Sequence, residues 1–205
     1  MAINEKAARL ASLKARIEQE HVRMGLLSDV WFWPERDGVK GFLGAAPIIV
    51  AGLNPSKGRG RPRRGLKETD EFFYRCLREE GLVDAHITDV VKIRATKKDA
   101  PLLFYNPTIL KLHRDYFIRE VKIVQPAVVV VVGIDAWNVL RGWNLIAPEG
   151  RQEFIFRVSA KSNVAVIRTV HPAATRFPKR TAERRARFRK DVRQAYKLAH
   201  SRGIH

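Results

Sequence analysis

The chain has 205 residues, with 39 Lys and Arg, 21 Asp and Glu, a formal net charge of +18 and a single cysteine. That length suits one domain with a full hydrophobic core. The lone Cys76 excludes an intramolecular disulfide and a cysteine-held zinc or iron–sulfur centre, because those sites need several thiolates. No apolar run approaches the ~20 residues of a membrane span, and no signal-peptide core is found near the start. We therefore expect a cytoplasmic protein.

The positive charge is concentrated in two stretches of the chain. Residues 151–205 contain 15 basic and 3 acidic side chains, and six of the eleven residues 57–67 are Lys or Arg. Clustered positive charge attracts phosphate backbones, so nucleic acid is the expected partner. The alternative is a soluble or ribosome-associated protein with a basic surface.

The predicted elements alternate between helices and strands. Apolar spacing and capping residues predict helices at residues 4–26, 69–80 with Thr69 as N-cap, 106–124 with Asn106 as N-cap and Pro107 in the first turn, 135–140 and 181–200. Strands are predicted at residues 47–52, 86–91, 127–132, 154–158 and 164–170. Strands apolar on both faces are typical of a parallel sheet covered by helices. The sequence thus predicts one α/β domain over residues 1–205, with an N-terminal helix and aromatic loop at 1–44 and the core at 45–205.

Three segments with unusual chemistry follow or end predicted strands. They are Gly52-Leu53-Asn54-Pro55-Ser56-Lys57-Gly58, Thr88-Asp89-Val90-Val91-Lys92 and His171-Pro172-Ala173-Ala174-Thr175-Arg176-Phe177. Taken singly, each has a plain structural explanation as a turn, a cap or a strand end. In an open parallel sheet, however, ligands bind beyond the carboxyl ends of the strands. Their joint placement therefore indicates a functional site.

The order of these segments resembles the uracil-DNA glycosylase superfamily. The strings that carry the resemblance are GLNPS, a basic glycine loop, TDVVK, VVVVVG and HPAATRF. ITDVVK is similar to the ITNVVK stretch of the iron–sulfur branch, and EFFYRCLREEGL is similar to a helix of the mismatch-specific branch. The resemblance implies a three-layer α/β/α sandwich with a central, mostly parallel four-stranded sheet. It also implies a monomeric, monofunctional DNA glycosylase of base-excision repair, without metal or organic cofactor, acting on DNA in the bacterial nucleoid.

The resemblance assigns roles to individual residues around a nucleotide flipped out of the stack. Asn54 corresponds to the residue that holds the attacking water, and His171 to the histidine that donates a hydrogen bond to the anion developing on the departing base. The implied base-binding positions are Gly52, Leu53, Pro55, Ser56, Arg63 and Asp89. The implied DNA-binding positions are Lys57, Arg59, Arg61, Arg64, Pro172, Ala173, Ala174, Thr175, Arg176, Phe177 and Arg180. Within the last set, Arg176 and Phe177 fit the plug that fills the hole left by the flipped base.

The basic residues of the last predicted helix have two interpretations. They either grip phosphates or form a solvated face. These residues are Arg184, Arg185, Arg187, Arg189 and Lys190. Two lysines, Lys57 and Lys92, are weak candidates for an amine nucleophile, so no strand cleavage is expected.

Two positions depart from the family pattern. Arg63 stands where the family often has a Phe that stacks on the extruded base, which leaves Phe72, Phe73 or the aromatic residues 31–33 as other stacking candidates. Asp89 stands where ITNVVK has Asn. An ionised Asp only accepts hydrogen bonds, so it repels O4 of uracil and suits a base that presents a donor, such as the N4 amine of cytosine-like bases. The alternatives are that Asp89 is protonated, points away or contacts DNA indirectly.

These departures leave more than one function open. The leading expectation is a glycosylase that hydrolyses the N-glycosidic bond of a damaged or deaminated base, uracil or a related one. The alternative is a catalytically silent DNA- or RNA-binding protein that keeps the glycosylase fold. An RNA-associated protein is a third interpretation, which rests on charge alone.

Overall fold

A computed structural model describes residues 2–25, 30–53, 64–94, 106–149, 153–156, 164–171 and 181–201. The helices are α1 (Ile3–Arg23), α2 (Arg64–Glu79), α3 (Pro107–Val124), α4 (Ile134–Gly142) and α5 (Thr181–Ser201), with a short 3-10 helix at Gly41–Leu43. The strands are β1 (Ala46–Gly52), β2 (Ala85–Asp89), β3 (Val128–Val132), β4 (Ile146–Glu149), β5 (Glu153–Phe156) and β6 (Val164–Thr169). None of the helices within these described ranges is long and apolar enough to cross a membrane.

The six strands form one sheet in the order β2-β1-β3-β6-β5-β4. The first four are parallel to one another, as predicted. The hairpin of β4 and β5 extends this parallel sheet, because β5 runs antiparallel to β6 and β4 antiparallel to β5. Strand β4 was not predicted from the sequence. It contains Pro148, which the sheet accommodates because β4 is the outer strand at this end of the six described strands.

Helices cover both faces of the sheet, which confirms the three-layer α/β/α architecture. Alternate residues of β1 point to opposite sides: Ile49 and Ala51 pack with α1, α3 and α4, whereas Ile48 and Val50 pack with α2 and α5. Residues 128–132 of β3, all valine, divide between the two layers in the same way. Both faces of these strands are buried, which explains why they are apolar without alternation.

Of the two N-cap residues predicted from the sequence, the structure confirms one and contradicts the other. The side chain of Asn106 accepts hydrogen bonds from the backbone N–H groups of Thr108 (3.1 Å) and Ile109 (3.2 Å), so the predicted cap of α3 is confirmed. The predicted N-cap at Thr69 is wrong, because α2 already begins at Arg64 and Thr69 lies inside it. The intervening residues 66–68, Leu-Lys-Glu, are good helix formers and extend the helix toward its N-terminus.

Candidate active site at the carboxyl edge of the sheet

The four parallel strands end at a common edge, and backbone hydrogen bonds tie their ends together. The N–H groups of Val90 and Val91 donate to the carbonyl oxygens of Gly52 and Leu53, both at 2.8 Å. The N–H of Gly133 donates to the carbonyl of Thr169 at 2.9 Å. Because these bonds continue past the strands, they fix the path of the chain where each motif segment starts.

His171 lies at this edge and packs against Gly133. The backbone of Gly133 has a φ of 92°, in the region that favours glycine. A Cβ atom at this position would lie 3.3 Å from Cβ of His171, so glycine also allows the close approach of the two segments. His171 is exposed and directly follows β6. The predicted position of His171 at the carboxyl edge is therefore what the structure shows.

A cleft of about 510 Å³ opens beside His171, across the ends of β3 and β6. Leu53 and Gly133 line it together with His171, which brings the ends of β1, β3 and β6 to one cavity. Three arginines, Arg168, Arg184 and Arg187, also line it. The cleft therefore combines an imidazole with cationic walls.

Asp89 ends β2 and is almost completely buried, with 4% of its surface exposed. The indole Nε1 of Trp33 donates a hydrogen bond to its Oδ2 at 2.8 Å, and the Nζ of Lys92 donates to its backbone carbonyl at 2.7 Å. On the other side of the carboxyl group, a Cβ atom at Gly52 would overlap Oδ1. Glycine at position 52 is therefore required for the carboxyl group to lie against β1.

Burial raises the pKa of Asp89 from 3.8 to about 7. The Lys92 ammonium and the hydrogen bond from Trp33 act in the opposite direction, and the Glu120 carboxylate adds to the rise. Near neutral pH the carboxyl group is thus divided between a form that only accepts hydrogen bonds and a form that also donates one.

A buried ionic cluster lies behind Asp89 and joins β2 to α3. Lys92 Nζ is 2.8 Å from Glu120 Oε1, and His86 Nε2 is 3.3 Å from Glu120 Oε2. The other ring nitrogen of His86, Nδ1, is 2.7 Å from the carbonyl oxygen of Phe42. The two groups bound to this ring, a carboxylate and a carbonyl oxygen, are both hydrogen-bond acceptors. Burial raises the pKa of Glu120, but Lys92 and His86 outweigh that effect and hold it below its ordinary value. Glu120 is therefore ionised, and Lys92 is bound inside the fold rather than placed as a nucleophile.

Five of the predicted site positions lie within the described residues. Gly52, Leu53, Asp89 and His171 all lie at the carboxyl edge, and Arg64 begins α2. The remaining predicted positions lie outside the described residues: Asn54, Pro55, Ser56, Lys57, Arg59, Arg61, Arg63, Pro172, Ala173, Ala174, Thr175, Arg176, Phe177 and Arg180.

The aromatic stacking candidates take different positions in the structure. Phe72 and Phe73 are buried between α2 and α5, where both rings contact Phe188. Trp31 stacks under the guanidinium of Arg94, at 4.6 Å from the ring centroid. Trp33 binds Asp89 through its indole N–H.

Sequence reasoning missed several residues at this edge and in the cluster behind it. It gave no role to Glu120, His86 or Arg168, and it assigned neither Trp33 nor Lys92 to Asp89. A signal for Lys92 and Glu120 existed, because a charged side chain inside an otherwise apolar pattern of strand or helix suggests a buried partner.

Fold and edge together define an α/β protein with a cationic binding cleft at the carboxyl ends of parallel strands. The sequence model of the Uracil DNA glycosylase superfamily matches residues 41–195, and the chain belongs to that superfamily. The match begins at the 3-10 helix, includes all three motif segments and ends within α5, so that α1 lies before it. No curated protein gave a significant match to the chain.

Proposed function

We propose that this protein is a DNA glycosylase of base-excision repair, which hydrolyses the N-glycosidic bond of a damaged or deaminated base. The superfamily it belongs to acts on DNA in this way. The observation that carries the proposal is the position of His171, exposed at the carboxyl edge in a cationic cleft that Leu53 also lines. Asn54 directly follows Leu53 in the chain.

In the proposed reaction, the flipped nucleotide loses its base through a sugar with oxocarbenium character. The C1′–N bond breaks with its electron pair leaving on the base, whose carbonyl oxygen becomes anionic. His171 donates a hydrogen bond to that oxygen, a kind of contact worth roughly 2.7–4 kcal/mol in comparable oxyanion sites. The amide of Asn54 orients a water that adds to C1′, and the proton this water loses balances the one the base anion takes up.

Asp89 is proposed to select the base. Asp89 is the last residue of β2, at the same edge as His171. Among the described residues, Trp33 donates a hydrogen bond to Oδ2 of its carboxyl group. A protonated Oδ1 donates to a carbonyl such as O4 of uracil, whereas an ionised one accepts from an amine such as N4 of a cytosine-like base. The base released is therefore expected to depend on the protonation of Asp89.

The test is release of bases from oligonucleotides that carry uracil, hypoxanthine, xanthine or a modified cytosine, followed by hot alkali to cleave abasic sites. We expect one or more of these bases to be released by the wild type, with loss of at least about a hundredfold in His171→Ala, the scale found for single oxyanion donors. Asn54→Ala is expected to lose release as well. His200→Ala serves as the matched control, because His200 is an exposed histidine near the opposite end of α5.

A catalytically silent DNA- or RNA-binding protein is the second candidate. The observation that favours it is the near-complete burial of Asp89, whose carboxyl group already holds a bond from Trp33. DNA binding by the wild type with no abasic site in any oligonucleotide would support this candidate and contradict the glycosylase proposal. Binding of structured RNA in preference to duplex DNA at matched salt would indicate an RNA partner instead.

A further inference from the structure

Four arginines of α5 form two pairs with different surroundings. Arg184 and Arg187 are three residues apart, lie on one face of the helix and line the cleft beside His171. Arg189 and Arg193 face α2 instead. Arg189 is 2.5 Å from a carboxylate oxygen of Glu79, and Arg193 makes two bonds, of 2.7 and 2.9 Å, to the carboxylate of Glu80.

A third arginine reaches the same cleft from the sheet. Arg168 is exposed on β6, and its guanidinium lies 5.5 Å from the ring centroid of Trp137 on α4. Trp137 belongs to the core on the α1, α3 and α4 side of the sheet, whereas α5 packs on the opposite side. Arg184 and Arg187 on α5 and the side chain of Arg168, which lies toward α4, therefore flank the end of β6, just before His171.

The charge in this cleft favours an anion with several oxygens. Among the described residues that line it, the one carboxylate is Asp135, against three guanidinium groups. Arg187 has an ion pair with Asp191, but its N–O distance of 3.8 Å is too long for a hydrogen bond, so the pair holds the side chain only weakly. Guanidinium groups match phosphate oxygens with two parallel hydrogen bonds, so a phosphodiester is the ligand class that fits.

We propose that Arg168, Arg184 and Arg187 form a phosphate-binding site that holds the DNA backbone on both sides of the flipped nucleotide. This inference rests on the proposed function, because it places the reacting sugar between these phosphates and next to His171. It also assigns Arg189 and Arg193 to the packing of α5 on α2, so that these two arginines take no part in binding. The phosphates would thereby fix the sugar while the base enters the site.

The experiment measures the salt dependence of DNA affinity for single variants. The probe is a duplex with one tetrahydrofuran abasic analogue, with the intact duplex as reference. Each of R168Q, R184Q and R187Q should lower the slope of log Kd against log salt by about 0.9, the value for one phosphate contact. Between 50 and 200 mM salt, each variant should then lose roughly threefold less affinity than the wild type.

The control is R193Q, which removes the same charge from the same helix. Its slope should equal that of the wild type, because Arg193 is bound to Glu80. R187K should restore the slope, since it restores the charge, but only part of the affinity, because an ammonium cannot make the bidentate bond. The loss of slope should be larger on the abasic duplex than on the intact one.

The outcomes separate this inference from the proposed function. Base release by the wild type, together with slopes in the three variants no different from R193Q, would overturn the phosphate site alone. Loss of slope in the three variants, with no base released from any oligonucleotide, would contradict the glycosylase proposal and keep the phosphate site. A loss of slope equal on both duplexes would overturn its placement around the flipped nucleotide.

Discussion

Replacement of the buried Asp89 by asparagine should change the pH dependence of stability. An asparagine side chain keeps the shape of the aspartate, and its amide oxygen can still accept the hydrogen bond from Trp33 Nε1. It cannot ionise, so D89N removes one titration and little else. The difference in unfolding free energy between wild type and D89N therefore reports on that carboxyl group alone.

The size of the effect follows from the pKa of Asp89, which rises from 3.8 to about 7 on folding. The stabilising contribution of the protonated carboxyl group is fully present below pH 3.8 and is lost as the pH rises through about 7. Between pH 5 and about pH 6.5 the carboxyl group is mostly ionised in the unfolded chain and mostly protonated in the folded one, so each pH unit costs about 1.4 kcal/mol. The wild type should thus lose roughly 2–3 kcal/mol relative to D89N between pH 5 and pH 8, and the loss should level off above pH 7.

Urea unfolding of both proteins at pH 5, 6, 7 and 8 provides the measurement. Other titrating groups, such as the buried His21 and His113, whose pKa values burial lowers, occur in both proteins and cancel in the difference. D115N provides the control, because it makes the same substitution on α3 at a carboxyl group whose side chain is about half exposed. A difference between wild type and D89N that stays constant from pH 5 to pH 8 would refute the reasoning, since Asp89 would then be ionised in the fold.

Three further predictions concern the same edge. Uracil release should fall about tenfold from pH 6 to pH 8, as the protonated fraction of Asp89 falls, and release of a modified cytosine should rise; parallel profiles would contradict this. G52A should release bases at least tenfold more slowly, and its free energy of unfolding should be about 1–3 kcal/mol lower, because the added methyl group overlaps the Asp89 carboxyl group. Unchanged activity and stability would show that the strand end can shift freely. K92M should lower the free energy of unfolding in urea by about 3–5 kcal/mol, because it leaves the Glu120 carboxylate buried without its ammonium partner. The double variant K92M/E120Q should recover part of that loss, and no recovery would show that Lys92 acts elsewhere.

The sequence allowed prediction of those features that depend on short-range patterns. Strands β1 and β3 are continuous apolar runs because both faces are covered, and that pattern alone indicates a parallel sheet. The cap at Asn106 is set by the next three residues and is confirmed by its bonds. Parallel strands end at one edge, so the positions of Gly52, Asp89 and His171 at that edge followed from the order of the elements.

Contacts between polar groups far apart in the chain could not be predicted in this way. Trp33 and Asp89 are 56 residues apart, and their hydrogen bond depends on how the aromatic loop crosses the end of β2. Lys92 and Glu120 meet because α3 packs on the end of β2, which no periodicity encodes. Arg168 alternates with buried residues along β6, so its place in the cleft depends on which face the register assigns to it.

The ionic cluster behind Asp89 has a positional role that its energetics alone do not explain. Among the described strands, β2 is the outermost of the parallel sheet and pairs with β1 alone, so the sheet holds its end from one side. Lys92 links the Asp89 carbonyl to Glu120 on α3, while Trp33 holds the Asp89 side chain from the opposite direction. Apolar residues of equal volume can stabilise a fold as well as a buried ion pair, but they do not fix a neighbouring carboxyl group in direction. A cluster of this kind is therefore expected where the orientation of one side chain matters, which at this edge is Asp89.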